Sequence, residues 1–346
     1  MKKYIVHIFL LVVLNVNGKE SPFNRLKLVH DSTLNFSFIV SGHFHGSSSN
    51  ISGFPASSLQ GNIGKINLLG AHFMVSTGDM FLDIRNDIPN YKKALFSRLT
   101  VPLFNVPGNH DYPKSVYEEN FGKTYGHFFY KNCVFLLLDT EMDNGSLKGE
   151  QWQLFQDVIL KCSGGNSIRN VFIFSHRPVW AEDDEELKNI FLENTKSTFK
   201  TNFETEVEPF LKKIKKKLNF YWFSGSLGGQ APASFFYHKS DERITYIQSA
   251  IRDLPHDAML QVYVEKGNVR FETFSLNHNK APELEECNRE MWKRGPVEKP
   301  FNYRLIKLYM VNMLTHRYFW YGVCWTTVGI GLIWFCRKRR RKKLKV

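Results

Sequence analysis

The chain has 346 residues, 43% of them hydrophobic and 15% aromatic, which suits the buried core of one large domain or two small ones. Its formal net charge is +13 at pH 7. Eight of its positive side chains (Arg337, Lys338, Arg339, Arg340, Arg341, Lys342, Lys343 and Lys345) crowd into the C-terminal tail, which leaves +5 on the rest. A basic tail beside an apolar segment argues for contact with a membrane surface and against a nucleic-acid arm.

Residues 1–18, MKKYIVHIFLLVVLNVNG, join a charged start at Lys2 and Lys3 to an apolar stretch ending at Leu14 and a small residue at Gly18. That is the pattern of a secretory signal peptide. FSFIVS (36–41), HFMVST (72–77) and VPLFNV (101–106) read as strands, and the Ser-, Gly- and Asn-rich residues 47–62 read as a loop. HFFY (127–130) and CVFLLLD (133–139) predict a hairpin turning at Lys131-Asn132. Helical periodicity over 147–162 places Trp152, Leu154, Phe155, Val158 and Ile159 on one side. NVFIFS (170–175) follows as a strand, residues 182–217 as helix, and NFYWFS (219–224) as another strand. SFFYHK, RITYIQS, MLQVYVE and NVRFETFS then suggest an antiparallel second sheet. Polar residues 277–316 read as a linker.

The apolar residues 317–336 are long enough to cross a bilayer as a helix, with aromatics at both ends and the basic tail (337–346) directly after. These features predict a single-pass protein with its body (19–276) outside the cytoplasm and its tail inside. Two of the five cysteines, Cys324 and Cys336, lie in this segment. The other three, Cys133, Cys162 and Cys287, are odd in number and form at most one bridge. The sequons at Asn35, Asn50 and Asn144 matter only where secreted proteins are glycosylated.

Four short segments carry the chemistry: GHFHG (42–46), GD (78–79), GNHD (108–111) and HRP (176–178). Each follows an apolar, β-rich run, so all four belong at the carboxyl ends of strands, where ligands collect in α/β folds. Hydrolysis of a phosphate ester needs a nucleophile at neutral pH and neutralisation of the phosphoryl charge, and divalent ions supply both. Asp79 is the natural bridging carboxylate. Asn109 and His176 suit one ion and His45 the other, with His43 as a further imidazole.

In this order the segments resemble the calcineurin-like metallophosphoesterase family over residues 36–276. The resemblance implies an α/β fold built as a four-layer α/β/β/α sandwich, one or two divalent ions (manganese, zinc or iron) and a phosphate-ester substrate. It implies Asp79 as the bridge, Asn109, His176 and His45 as ligands, His110 as the residue that contacts phosphate or protonates the leaving group, and Asp111 as the acid orienting His110. The chain departs from the family pattern in three places. His43 stands where that pattern has Asp, and Gly225-Ser226-Leu227-Gly228 replaces Gly-His-x-His. Leu82 stands where purple acid phosphatases carry tyrosine, so a tyrosinate-bound iron site is not expected. Two readings follow: a membrane-anchored phosphoesterase with an altered site of one or two ions, or a pseudoenzyme that uses the fold to bind a protein partner at a membrane. Neither reading involves nucleic acid.

Overall fold

The computed structural model describes residues 19–165, 167–182, 184–191, 200–214, 217–228, 231–277, 280–294 and 306–343. The leader read over 1–18 lies outside the described residues.

Eleven strands among them form two sheets. The first has the order β11-β10-β1-β2-β3, from β1 (Phe36–Ser41), β2 (Phe73–Ser76), β3 (Leu103–Asn105), β10 (Ala258–Glu265) and β11 (Asn268–Ser275). The second has the order β4-β5-β6-β7-β9-β8, from β4 (Gly126–Tyr130), β5 (Cys133–Leu137), β6 (Asn170–Phe174), β7 (Asn219–Ser224), β8 (Phe235–Asp241) and β9 (Ile244–Ser249). β1, β2 and β3 run parallel, as do β5, β6, β7 and β9, so their carboxyl ends gather at one edge.

Alternation along the strands sorts side chains into layers. Phe38, Val40, Phe73, Val75, Phe104, Phe135, Phe172, Phe174 and Phe223 meet between the sheets. Ile39 and Met74 point the other way, onto a layer with α2 (Ile63–Leu68), α3 (Ile84–Tyr91) and α4 (Lys114–Phe121). Val134, Leu136, Val171, Ile173 and Trp222 face α5 (Gly149–Gly164) and its neighbours. The result is the expected α/β/β/α sandwich. Its middle layer is aromatic: the Phe38 and Phe73 rings stack at 5.1 Å, and Phe135 stacks on Phe128 at 4.8 Å while meeting Phe73 edge-on at 5.1 Å.

Three expectations need correction. The four C-terminal strands do not make one sheet: β8 and β9 join the second and β10 and β11 the first, with β9 parallel to β7. Residues 244–249 are buried on both faces, as befits a strand inside a sheet, and alternation alone does not name a strand's neighbour. The stretch read as a 47–62 loop contains a short helix, α1 (Ser57–Gln60). Ser57 and Ser58 donate their N–H groups to the Asp253 carboxylate at 3.3 and 2.9 Å. The linker is also partly folded onto the body. Leu284 and Cys287 are buried, and Trp292 in α8 (Arg289–Lys293) donates its indole N–H to Phe235 O at 2.8 Å. Within 182–217, the described helices include α6 (Glu185–Phe191) and α7 (Glu208–Ile214). Cys133, Cys162 and Cys287 are all buried free thiols.

Beyond residue 305, α9 (Ile306–Thr315) meets α10 (Arg317–Lys343) at His316. Arg317–Arg339 is long and apolar enough to span a membrane and is unburied by the rest of the molecule. Asn312 ties α9 to the body through its amide, which donates to Ser57 Oγ at 3.0 Å.

Candidate metal centre

Six loops meet at the shared carboxyl edge, following β1, β2, β3, β6, β7 and β9. His43 (φ 52°) and Asp79 (φ 53°) both adopt the left-handed conformation that non-glycine residues rarely hold. Such strain survives only where the surroundings over-determine it. Two glycines let the loops approach: a Cβ on Gly78 would lie 2.5 Å from His176 Nδ1, and one on Gly108 would collide with the Asp79 carboxylate.

Asp79 is the hub. Its Oδ1 accepts the N–H of His110 at 3.0 Å, while Oδ2 stands 3.5 Å from His43 Nε2, 3.5 Å from His176 Nε2 and 3.8 Å from His45 Nε2. Burial alone would raise this carboxyl. The three imidazoles outweigh it and hold the group well below the usual carboxylate range. The ligand atoms fall into two trios on Asp79, each with its atoms within 4.8 Å of one another. One is His43, Asp79 and His176; the other is His45, Asp79 and His110. The motifs alone suggest His43 with His45 and His176 with Asn109; the fold instead brings His43 to His176 and His45 to His110. Asn109 is half-buried on the Asn109–Asp111 turn beside His110.

The two trios differ in readiness. His45 is buried with neither ring nitrogen in a hydrogen bond, its Nε2 facing Asp79 at 3.8 Å. His110 Nδ1 sits 3.0 Å from Leu82 O, and His176 Nδ1 sits 3.0 Å from Thr77 O. A carbonyl at Nδ1 places the proton there and leaves Nε2 as a lone pair, the arrangement typical of metal-bound histidines. Nε2 of His176 is buried and unpartnered. His43 differs. Leu227 N–H faces its Nε2 at 3.3 Å, and the Arg252 guanidinium faces its Nδ1 at 3.4 Å. Burial pushes His43 well below the ordinary imidazole value against the pull of Asp79, with Arg252 adding to the push. A neutral imidazole has one ring lone pair, so the lone pair of His43 faces Arg252 or Leu227 rather than an ion.

The loop that lacks the expected histidines explains this. Gly225 and Ser226 donate N–H bonds to His176 O at 2.9 and 2.8 Å, and the Arg252 guanidinium donates to Leu227 O. Backbone groups of 225–228 therefore hold His43 and Arg252 in place. Arg252 carried no signal of its own in the sequence, yet it follows β9 at the same edge as the ligands.

Asp111 takes a different part from the one expected. Its carboxylate accepts the N–H groups of Phe81 (3.0 Å) and Gly108 (2.9 Å), so it clamps the Asp79 and Asn109 loops, and the Leu82 carbonyl orients His110. Burial, aided by Asp79, pushes the Asp111 carboxyl up to about 6. Asn50 Nδ2 donates to His45 O at 2.7 Å, and Arg177 and Glu141 form a paired bridge, at 2.7 and 2.5 Å, that fixes the 176–178 turn.

No protein-family model and no curated protein matches the sequence. Solved structures do resemble the fold. A dimetal phosphatase from Danio rerio superposes with a TM-score of 0.50 at 14% identity, over 70% of this chain and 96% of that one. This chain has the calcineurin-like metallophosphoesterase fold. Two further structures align with TM-scores of 0.46. GAP50, the anchor in the inner membrane complex of Plasmodium, shares 14% identity over 75% of this chain and 94% of its own. A purple acid phosphatase from yellow lupin (Lupinus luteus) seeds shares 11% identity over 73% of this chain and 53% of its own. Within the metallophosphoesterase fold, the buried imidazole and carboxylate donors at Asp79 suit a divalent ion of borderline softness.

Proposed function

We propose that this chain is a membrane-anchored phosphoesterase that holds one divalent ion tightly at His45, Asp79 and His110 and sets Arg252 behind His43 as a fixed cation. The observation that carries the reading is the contrast between His45, buried with neither ring nitrogen in a hydrogen bond, and His43, faced by the N–H groups of Arg252 and Leu227. Three protein ligands with an open position are the mark of catalytic rather than structural metal sites. Such an ion supplies Lewis acidity toward a phosphoryl oxygen and a nucleophile at neutral pH.

The protein's own groups do the remainder. Arg252 contributes a fixed positive charge and directed N–H donors for a phosphate, on the far side of His43 from Asp79. His43 and His176, grouped with Asp79, form a weaker second position, because both ring nitrogens of His43 face protein N–H groups. The body, 19–276 with the folded linker up to residue 294, stands outside the cytoplasm and the basic tail inside, as the Lys and Arg flank favours.

Hydrolysis of bis(p-nitrophenyl) phosphate and p-nitrophenyl phosphate by the full chain, with manganese, zinc or iron added, tests this. Turnover is expected to fall by about 100-fold or more in Asp79→Asn and by about tenfold or more in Arg252→Gln. Turnover no greater than that of Asp79→Asn with every metal would refute it. The pseudoenzyme reading draws on a specific observation, the loss of imidazoles at Ser226 and Gly228 with His43 turned to the protein. It predicts no turnover at all.

A further inference from the structure

A cleft of about 500 Å³ opens between the 47–52 loop and α9. Arg252 lines its inner end. Tyr309, Asn312 and Met313 of α9 line one wall, with His316 and Phe319 where α9 passes into the membrane-spanning helix. The cleft therefore runs from the cation beside the metal centre to the first turn of the segment that enters the bilayer. A second cleft, beside Leu82, also reaches this junction at His316, Arg317 and Tyr318.

The inner end is built for an anion. The Arg252 side chain is largely buried and forms no ion pair among the described residues; its Nε–H is buried without a partner. The neighbouring carboxylate of Asp253 is occupied by the N–H groups of Ser57 and Ser58. The nearby Asp79 and Asp257 carboxylates favour the charged guanidinium without a direct ion pair to it, and a phosphate is the bidentate partner its geometry matches. The outer end is built for something apolar. Met310, Val311, Met313 and Leu314 on α9 are 51%, 50%, 42% and 43% exposed, and this surface continues directly into α10. In an interfacial helix such side chains sit among acyl chains.

We infer that the cleft is the headgroup site of a membrane phospholipid with a terminal phosphate, its phosphate on Arg252 and its acyl chains along α9 and α10. This rests on the phosphoesterase reading for what happens to the phosphate, but binding in the cleft does not require turnover. A soluble phosphate ester would use Arg252 and leave the apolar wall without an occupant. A neutral or zwitterionic lipid would use the wall and leave Arg252 unpaired.

The test is photocapture on the full chain in phosphatidylcholine nanodiscs, with a photoactivatable phosphatidate or phosphatidylcholine doped in. Phosphatidate adducts are expected to exceed phosphatidylcholine adducts by about tenfold and to map to residues 47–57 or 306–319. Arg252→Gln is expected to lower phosphatidate capture by about tenfold, while Arg270→Gln, far out on β11, leaves it unchanged. Met313→Trp fills the cleft from α9 without touching the metal loops, and should also lower capture by several fold. Equal capture of the two lipids, unchanged capture in Met313→Trp, or full competition by soluble glycerol phosphate would overturn the inference. Metal content and nitrophenyl ester turnover, measured on the same preparation, separate this failure from failure of the phosphoesterase reading.

Discussion

Arg252 does at the scale of one side chain what a missing ligand pair does at the scale of a motif. It puts a fixed cation beside His43, so that of the imidazoles around Asp79 this one meets protein N–H groups at both ring nitrogens. Nothing in the sequence marked it, because a lone arginine has no spacing partner and its contacts come from His43 and Leu227, both distant in the chain. By contrast Asp79, His45, His110 and His176 were legible because each follows a β-rich run inside a short motif. What their motifs did not reveal is which imidazoles would pair, since that depends on how the loops cross above the sheets. Gly108 supplies a sharp test at this scale. A Cβ there collides with the Asp79 carboxylate, so Gly108→Ala should weaken metal binding by about 10–100-fold in titrations, with a smaller effect on melting. The pH response gives another. Burial pushes the Asp257 carboxyl up to about 7, where it accepts from Ser58 Oγ and Arg252 N–H. A folded-state value above the unfolded one contributes stability that is full below about pH 4 and is lost as pH rises through about 7. Asp257→Asn should therefore flatten that decline in denaturant melts recorded between pH 4 and 8. A slope as steep as that of the parent would contradict the assignment.

At the scale of elements, the strands were legible because alternating aromatic and aliphatic residues leave little choice of face. Phe36, Phe38 and Val40 on β1 all turn to the layer between the sheets, and Ile39 turns away. The neighbours of β8 to β11 were not legible, because pairing is decided by crossovers and register rather than by local pattern. The fold of residues 284–292 against β8 was hidden for a related reason. Only Leu284, Cys287 and Trp292 are buried there, among polar residues that read as a linker. The aromatic middle layer is what fixes the spacing of the two sheets, and with it the spacing of the loops. Phe135 touches Phe38, Phe73, Phe128 and Phe172 at centroid distances of 5.3, 5.1, 4.8 and 5.0 Å. Phe135→Ala should cost about 3–5 kcal/mol in equilibrium unfolding, through lost burial and the cavity left behind. A cost below about 1 kcal/mol would mean that the layer collapses to fill the gap, against the packing described.

At the scale of the whole molecule, one edge of the sandwich carries the candidate metal ligands, Arg252 and the junction with α10, whose Arg317–Arg339 stretch is long and apolar enough to span a membrane. The order of the metal motifs made the sandwich readable, and the apolar segment before the basic tail made the helix readable. Their juxtaposition was not readable, because it depends on α9 packing against α1 through Asn312 and Ser57. The proposed site holds a single tight ion at that edge. Metal content of the full chain, measured by elemental analysis after loading with manganese, zinc or iron and exhaustive dialysis, tests this most directly. One equivalent is expected, lost in His45→Ala and Asp79→Asn and retained in His43→Ala. Two retained equivalents, or one that survives His45→Ala and disappears in His43→Ala, would contradict it.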